Sequence, residues 1–359
     1  MITDPEQVTP QWLTDRLRRN GHLADGAVER VVRGETFEST AAFLTPLAVT
    51  YEVAREGSDD ARPLPHGRLM LKRYRADWFG GGLAEAVFFN ELAASTPQAP
   101  VFRCYDFDSD KDSRQCYFLF EDASATHVEE PPKDAESGAA LYRQIIDEIC
   151  TFHVRWWEDP RIAQDDFKRG RGGPLRMADA ATAQVSARDC AHWRDELLPA
   201  FARKFGDDFP AASRDLALKA VNAWEGLFGR RIADEKKLTL LHGDLHPWNI
   251  FYPKDPASHG LYLLDWETYK RGIGPYDLCY LVGTEPAERR REIETDLLRY
   301  YHERLLEGGV AGYAWEDCLY DYRLAAVATL FPPLGWQSLD AFNMQLERFR
   351  DWQCEELIA

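Results

Sequence analysis

At 359 residues the chain is long enough for two lobes or domains, and 45% hydrophobic with 13% aromatic residues allow a substantial packed interior. A net charge of −17 argues against a nucleic-acid binder, whose surface must attract phosphate, and is compatible with a cationic ligand. Seven scattered cysteines, with no C-x-x-C pair or zinc-like spacing, read as free thiols in a reducing cytosol. The first residues, Met1-Ile2-Thr3-Asp4-Pro5, carry no basic-then-apolar leader, and no apolar run approaches the ~20 residues of a membrane span. A soluble, cytoplasmic protein without a membrane or nucleic-acid partner is expected.

Thr9-Pro10 supplies a cap and a first-turn proline for a helix ending at Asn20-Gly21. From Val28 to Val53 the pattern turns β-like; Leu47, Val49, Tyr51 and Val53 alternate with polar or small residues. A polar turn over Gly57 to Gly67 leads to a strand from Arg68 to Tyr74 that carries Lys72. Gly80-Gly81-Gly82 reads as a hinge-like break before a helix from about Leu83 to Ala94. Strands around Phe102–Phe107 and Cys116–Phe120 flank a polar turn, Asp108 to Arg114. The order of elements predicts an α+β small lobe, residues 1–122, with a boundary near Asp122 to Asp134 marked by Pro131-Pro132. Residues 123–359 form a larger, mostly helical lobe. Leu141, Ile145, Ile149, Phe152 and Trp156 share one helical stripe. β-like pieces interrupt the later helices at Leu238–Leu241, Ile250–Tyr252 and Leu261–Asp265.

Chemistry concentrates in Leu241-His242-Gly243-Asp244-Leu245-His246-Pro247-Trp248-Asn249-Ile250 and in Leu264-Asp265-Trp266. An Asp, an Asn five positions on, and an Asp ending an apolar strand form a phosphoryl-transfer set. Asp244 can take a proton from a hydroxyl, while Asn249 and Asp265 can hold Mg²⁺ on nucleotide phosphates. Each has a plainer reading. Asp244 and Asn249 suit a turn, whereas a carboxylate ending a buried strand needs a partner or a metal. His242, Asp244 and His246 also alternate and could ligate zinc on an extended strand, but Gly243 and Pro247 indicate an irregular loop. His242 is then expected to brace that loop by hydrogen bonds.

Phosphoryl transfer also requires a cation on the α- and β-phosphates. Lys72 lies mid-strand among Leu69, Met70, Leu71 and Tyr74, where it needs an anionic partner unless it snorkels from an edge. At 100° per residue Glu85 falls within the arc of Phe88, Phe89 and Leu92 and Glu91 points aside. Glu85 is therefore the expected partner of Lys72.

The same residues resemble the aminoglycoside phosphotransferase and choline-kinase superfamily, within it the ecdysteroid-kinase-like branch. The match rests on His242 to Asn249, Leu264-Asp265-Trp266 and Gly274-Pro275-Tyr276-Asp277-Leu278, with Lys72, the Glu85–Phe89 segment and Phe118-Leu119-Phe120-Glu121-Asp122 as an inter-lobe hinge. The resemblance implies a protein-kinase-like two-lobe fold, ATP and Mg²⁺ as cofactors, Asp244 as catalytic base, and Asn249 and Asp265 as metal ligands. It implies further that backbone groups from Glu121 to Ala123 receive the adenine and that Asp277 is structural. One departure stands out. The region over the phosphates, Gly34 to Thr40, has a single glycine and no G-x-G-x-x-G, so Ser39 is taken as its candidate contact.

The expected function is ATP- and Mg²⁺-dependent transfer of the γ-phosphoryl group to a small-molecule hydroxyl: an amino sugar, an amino alcohol or a bulkier hydroxylated natural product. The alternative is a nucleotide-binding pseudokinase that regulates a protein partner. A protein kinase is disfavoured by the short Asp265–Asp277 segment. The acceptor is expected among helices between Asp159 and Arg230 and the C-terminal helices, with Trp156, Trp157, Trp193, Trp315, Trp336 and Trp352 as candidates for an apolar wall or for core.

Overall fold

The computed structural model describes residues 1–52, 67–132, 138–163 and 189–359. The polar turn expected from Gly57 lies outside the described residues, except for Gly67 itself. Contacts divide the chain into two units, and the first comprises Met1–Ala94, Pro100–Glu129 and Phe251–Tyr262.

In the first unit, helix α1 (Pro10–Arg19) begins where Thr9 Oγ1 accepts the Trp12 N–H at 3.2 Å, with Pro10 in the first turn, where an amide hydrogen is not needed. The strands are β1 (Ala27–Arg33), β2 (Phe37–Glu38), β3 (Ala42–Glu52), β4 (Arg68–Tyr74), β5 (Cys104–Asp110) and β6 (Gln115–Glu121). They form one antiparallel sheet in the order β1-β3-β4-β6-β5, with β2 folded back on β3. Alternation sorts the side chains. Leu69, Leu71, Tyr117 and Leu119 face one way and pack with Leu13 and Leu17 of α1. Tyr74, Cys116, Phe118 and Phe120 face the other way, against Phe79 and Ala86 of helix α2 (Phe79–Val87). Lys72, two residues from Tyr74, shares this second face.

The glycine run does not form a hinge. Gly80, Gly81 and Gly82 lie inside α2, which continues as one π-helical stretch, Phe88–Ala93. A Cβ on Gly82 would stand 3.0 Å from both Cys116 Sγ and Tyr74 Cδ2, so glycine lets the helix approach the sheet closely. The unit also runs past residue 122. Strand β7 (His127–Val128) pairs with the later strand Ile250–Pro253, and His127 Nε2 meets the Gly260 carbonyl at 2.9 Å. These bonds draw residues 251–262 into the first unit.

The second unit comprises Ser95–Ala99, Glu130–Ile250 and Leu263–Ala359. Its helices are α3 (Gly138–Arg155), α4 (Leu198–Phe205), α5 (Ala211–Ile232), α6 (Pro275–Leu281), α7 (Ala287–Glu307), α8 (Trp315–Ala328), α9 (Pro332–Trp336) and α10 (Leu339–Asp351). The stripe of α3 buries Ile145, Ile149 and Phe152 almost completely, each contributing roughly 1.5–3 kcal/mol by removal from water. Strand Thr239–Leu241 pairs antiparallel with Lys270–Gly272, a three-residue strand with no sequence period to announce it. The strand expected to reach Asp265 is only Tyr262–Leu263. Among the described residues no helix is long and apolar enough to cross a membrane.

Candidate active site

The loop from His242 to Asn249 follows the strand Thr239–Leu241 and is held from beneath by Asp277 of α6. Asp277 is fully buried. Its Oδ2 accepts the His242 N–H at 2.6 Å, and its Oδ1 accepts the Gly243 N–H at 2.9 Å. His153 of α3 reaches Oδ2 with Nε2 at 3.2 Å, and its Nδ1 lies 2.8 Å from the Tyr301 hydroxyl. Burial pushes the Asp277 carboxyl up, but the bond from His153, the nearby imidazoles and the Gly243 amide outweigh it and hold the group below its ordinary range. Gly243 has φ +84°, and a Cβ there would collide with the Lys270 side chain and the Thr268 carbonyl. Glycine is required at that position both by dihedral and by space.

His242 is also fully buried. Its Nε2 donates to the Leu264 carbonyl at 2.7 Å and its Nδ1 accepts the Asp244 N–H at 3.3 Å. Burial lowers its pKa, so the ring stays neutral with both nitrogens occupied. It braces the loop and cannot be a zinc ligand in this arrangement. Among the described residues no group of three or more His, Cys, Asp or Glu side chains is placed to hold a metal by itself. Trp266 closes the other side, its ring 4.5 Å from His242 and 4.4 Å from Phe152.

Asp244 and Asn249 meet. Asn249 Nδ2 donates to the Asp244 carbonyl at 2.9 Å and to Asp244 Oδ2 at 3.2 Å. With Nδ2 engaged by the loop, Oδ1 is the amide atom suited to a cation. Asp265 follows immediately on Leu264, whose N–H bonds the Asn249 carbonyl at 2.9 Å. Asp265 is exposed rather than buried, and lies just past the strand at φ 53°, ψ 58°. A left-handed conformation at a non-glycine residue is strain of the kind found at functional sites. An amide oxygen and an exposed carboxylate on adjacent bonded segments are the hard oxygen donors that Mg²⁺ takes.

In the first unit, Lys72 Nζ lies 3.0 Å from Glu85 Oε2 and 3.2 Å from Oε1, and the Tyr74 hydroxyl donates to Oε2 at 2.7 Å. Glu91 is exposed and takes no part. Ser39 closes the β2–β3 turn: its Oγ accepts the Ala42 N–H at 3.1 Å and donates to the Ala42 carbonyl at 3.2 Å. The hydroxyl is thus engaged in the turn, while the Thr40 and Ala41 amides at the tip have no partner among the described residues. Glu121 ends β6, its N–H on the Arg103 carbonyl at 2.9 Å. The Ala123 carbonyl accepts three bonds from Thr126 and His127, whereas its N–H has no partner among the described residues.

Sequence reasoning missed His153, Tyr301 and Tyr280. His153 follows Ile149 by four on the apolar stripe of α3, where a buried imidazole signals a polar partner. Burial first, then the charge of Asp244, pushes the Tyr280 hydroxyl's pKa up. Of the tryptophans proposed as a wall, Trp156 and Trp193 are core, and Trp336 stands exposed.

Residues 58–318 match the phosphotransferase enzyme family, APH. The chain belongs to that family. As a phosphotransferase it is a small-molecule kinase that acts on a hydroxyl group. No curated protein matches it significantly. A candidate aminoglycoside phosphotransferase from Ralstonia eutropha JMP134 is similar in structure, with a TM-score of 0.52 at 14% identity over 96% of this chain and 98% of that one. A spectinomycin phosphotransferase in complex with ADP and spectinomycin gives 0.46 at 14% identity over 99% and 98%. A microcompartment-associated aminopropanol kinase gives 0.41 at 13% over 95% of each. The first shows the kinase-like α+β fold of the phosphotransferase; none assigns its substrate.

Proposed function

We propose that the phosphotransferase moves the γ-phosphoryl group of ATP, with Mg²⁺, to a hydroxyl of a small molecule: an amino sugar, an amino alcohol or a hydroxylated natural product. Within the superfamily the wording of the loop, His242 to Asn249, favours the ecdysteroid-kinase-like branch. The observation that carries the reading is the Asp244–Asn249 pair on a loop whose amides are held by a fully buried carboxylate.

In this reading Asp244 orients the acceptor hydroxyl and takes its proton as the oxygen attacks the γ-phosphorus. The bond to the β,γ-bridging oxygen breaks and ADP leaves. Asn249 Oδ1 and the Asp265 carboxylate hold Mg²⁺, which supplies charge neutralisation on the phosphate oxygens. Lys72, aligned by Glu85, holds the α- and β-phosphates. The Thr40 and Ala41 amides, rather than the Ser39 hydroxyl, contact phosphate. The Ala123 N–H, with the Glu121 backbone, receives the adenine.

ADP release with ATP, Mg²⁺ and a panel of amino sugars, amino alcohols and hydroxylated natural products tests the proposal. Asp244→Ala should remove turnover, by at least ~10²-fold, while nucleotide binding persists. Undiminished turnover in that variant refutes the assignment. Tight ATP binding with no turnover on any acceptor favours a pseudokinase instead.

A further inference from the structure

Beside the loop, the second unit contains a cavity of about 350 Å³ that no assignment above uses. Its location is tied to Asp244 by two lining residues. His246 Nε2 lies 3.7 Å from Asp244 Oδ2, and burial, followed by the charge of Asp244, pushes the Tyr280 hydroxyl's pKa up. The walls are apolar: Trp248, Tyr280, Pro332, Trp336 and Met344. Trp248 and Trp336 are 60% and 59% exposed, so both indoles keep large apolar faces in water until something covers them. Among the described residues no carboxylate lines the cavity. Arg348 lines it but is itself buried, bonding the Cys279 carbonyl at 2.6 Å and lying 3.2 Å from Glu294 Oε1. Its charge is satisfied within the protein.

Besides Arg348 Nε, which is ion-paired with Glu294, two lining residues present buried polar atoms without hydrogen-bond partners among the described residues. Gln345 donates Nε2 to the Gly283 carbonyl at 3.2 Å, while its buried Oε1 has no hydrogen-bond partner. The buried Nδ1 of His246 has none either. An apolar pocket with a few placed polar groups is the form small-molecule sites take, and its volume lies at the small end of their range. We infer that this cavity is the acceptor site and that it selects an uncharged, ring-bearing alcohol with a second hydroxyl or amide donor, which bonds Gln345 Oε1 while the indoles of Trp248 and Trp336 cover the rings. Among the described residues Asp244 is the one carboxylate placed beside this wall, so the several ammonium groups of an amino sugar would lose hydration that it alone does not repay.

The inference rests on Asp244 as the catalytic base, so binding is measured apart from turnover. Full-length Asp244→Asn protein is titrated, by tryptophan fluorescence and calorimetry, with neutral diaryl and terpenoid diols, their mono-alcohols, kanamycin and choline. Neutral diols should bind best. Trp336→Ala and Trp248→Ala should each weaken them by roughly tenfold or more, with the melting temperature unchanged because both rings are exposed. Gln345→Leu should erase the diol's advantage over the mono-alcohol, a loss of roughly tenfold. Tighter binding of kanamycin or choline, no binding of any neutral alcohol, or indifference to both Trp substitutions overturns the inference. The two readings fail differently. Asp244-dependent phosphorylation of an amino sugar alone leaves the kinase assignment standing and removes this one. Neutral diols that bind through Trp336 while no acceptor of any class is turned over by the native protein remove the kinase assignment and leave only the ligand preference of the cavity.

Discussion

Asp277→Asn isolates the device that holds the loop from His242 to Asn249. The carboxylate offers two acceptor oxygens, to the amides of His242 and Gly243, and takes His153 as a third donor. Asparagine keeps the shape but replaces one oxygen with an NH₂, which must face a donor. One backbone N–H is then buried without an acceptor, at about 1–3 kcal/mol, and the surviving bonds lose their charge assistance. The total is about 3–5 kcal/mol, the range for breaking a buried charged pair. At the low end this lowers the melting temperature by about 6–12 °C for a unit of about two hundred residues. Loop displacement on the order of 1 Å should also reduce kcat by roughly 10²-fold. The pH dependence gives an independent check. The folded carboxyl is held below its unfolded pKa, so its stabilisation is present above about pH 4 and is lost as pH falls through the folded value. Calorimetric scans of native and variant protein should show a constant gap from pH 8 to about pH 5 and a narrowing gap below that. An unchanged melting temperature at neutral pH, or a gap that widens in acid, refutes the reasoning.

Lys72→Met should leave Glu85 buried without its cation and destabilise the first unit by about 3–5 kcal/mol; adding Glu85→Gln should restore much of the melting temperature but none of the activity, and activity recovering with stability would deny Lys72 a role on phosphate. Asp265→Gly relieves a left-handed φ of 53° and should keep or raise the melting temperature by up to ~1 kcal/mol equivalent while Mg²⁺-dependent nucleotide binding disappears. Normal Mg²⁺-dependent binding by that variant excludes the residue as a metal ligand. Gly243→Ala forces a Cβ against Lys270 and the Thr268 carbonyl at a positive φ, so a loss of at least ~2 kcal/mol and of turnover is expected; a stable, active variant contradicts the loop geometry.

What could be read from the sequence was what local chemistry dictates. The Thr9-Pro10 start of α1, the strand bearing Lys72 and the stripe of α3 each follow from a cap or a period, and each forms. Glu85 was separable from Glu91 because 100° steps around a helix decide which acid turns inward. The glycine run was misread because the same residue marks a flexible break and a close helix–sheet contact, and only Cys116 and Tyr74, more than thirty positions away in one case, distinguish them. Strands of two or three residues, such as His127–Val128 and Lys270–Gly272, are too short to show a period; partners distant in sequence define them. The exposed placement of Asp265 follows from a strand that ends two residues earlier than its apolar run suggests.

The loop and the cavity beside it differ in legibility for a physical reason. In His242 to Asn249 nearly every residue answers a separate demand: a buried brace at His242, a positive φ at Gly243, a carboxylate that accepts from Asn249 at Asp244, a turn start at Pro247, and an amide that bonds back at Asn249. Few other residues satisfy each demand, so the spacing itself carries information. The cavity asks less of its residues. Trp248, Tyr280, Trp336 and Gln345 come from four separate segments, and at each an aromatic or an amide would serve equally well in a core or on a surface. Nothing local marks them as neighbours. Trp336 and Gln345 lie on helices other than the one that carries Asp277, which bears on selectivity in the proposed reading. If the cavity receives the acceptor as proposed, Trp336 and Gln345 can change while the buried Asp277 carboxylate keeps its bonds to the loop of Asp244, and choice of acceptor and competence for transfer would then rest on separable sets of residues.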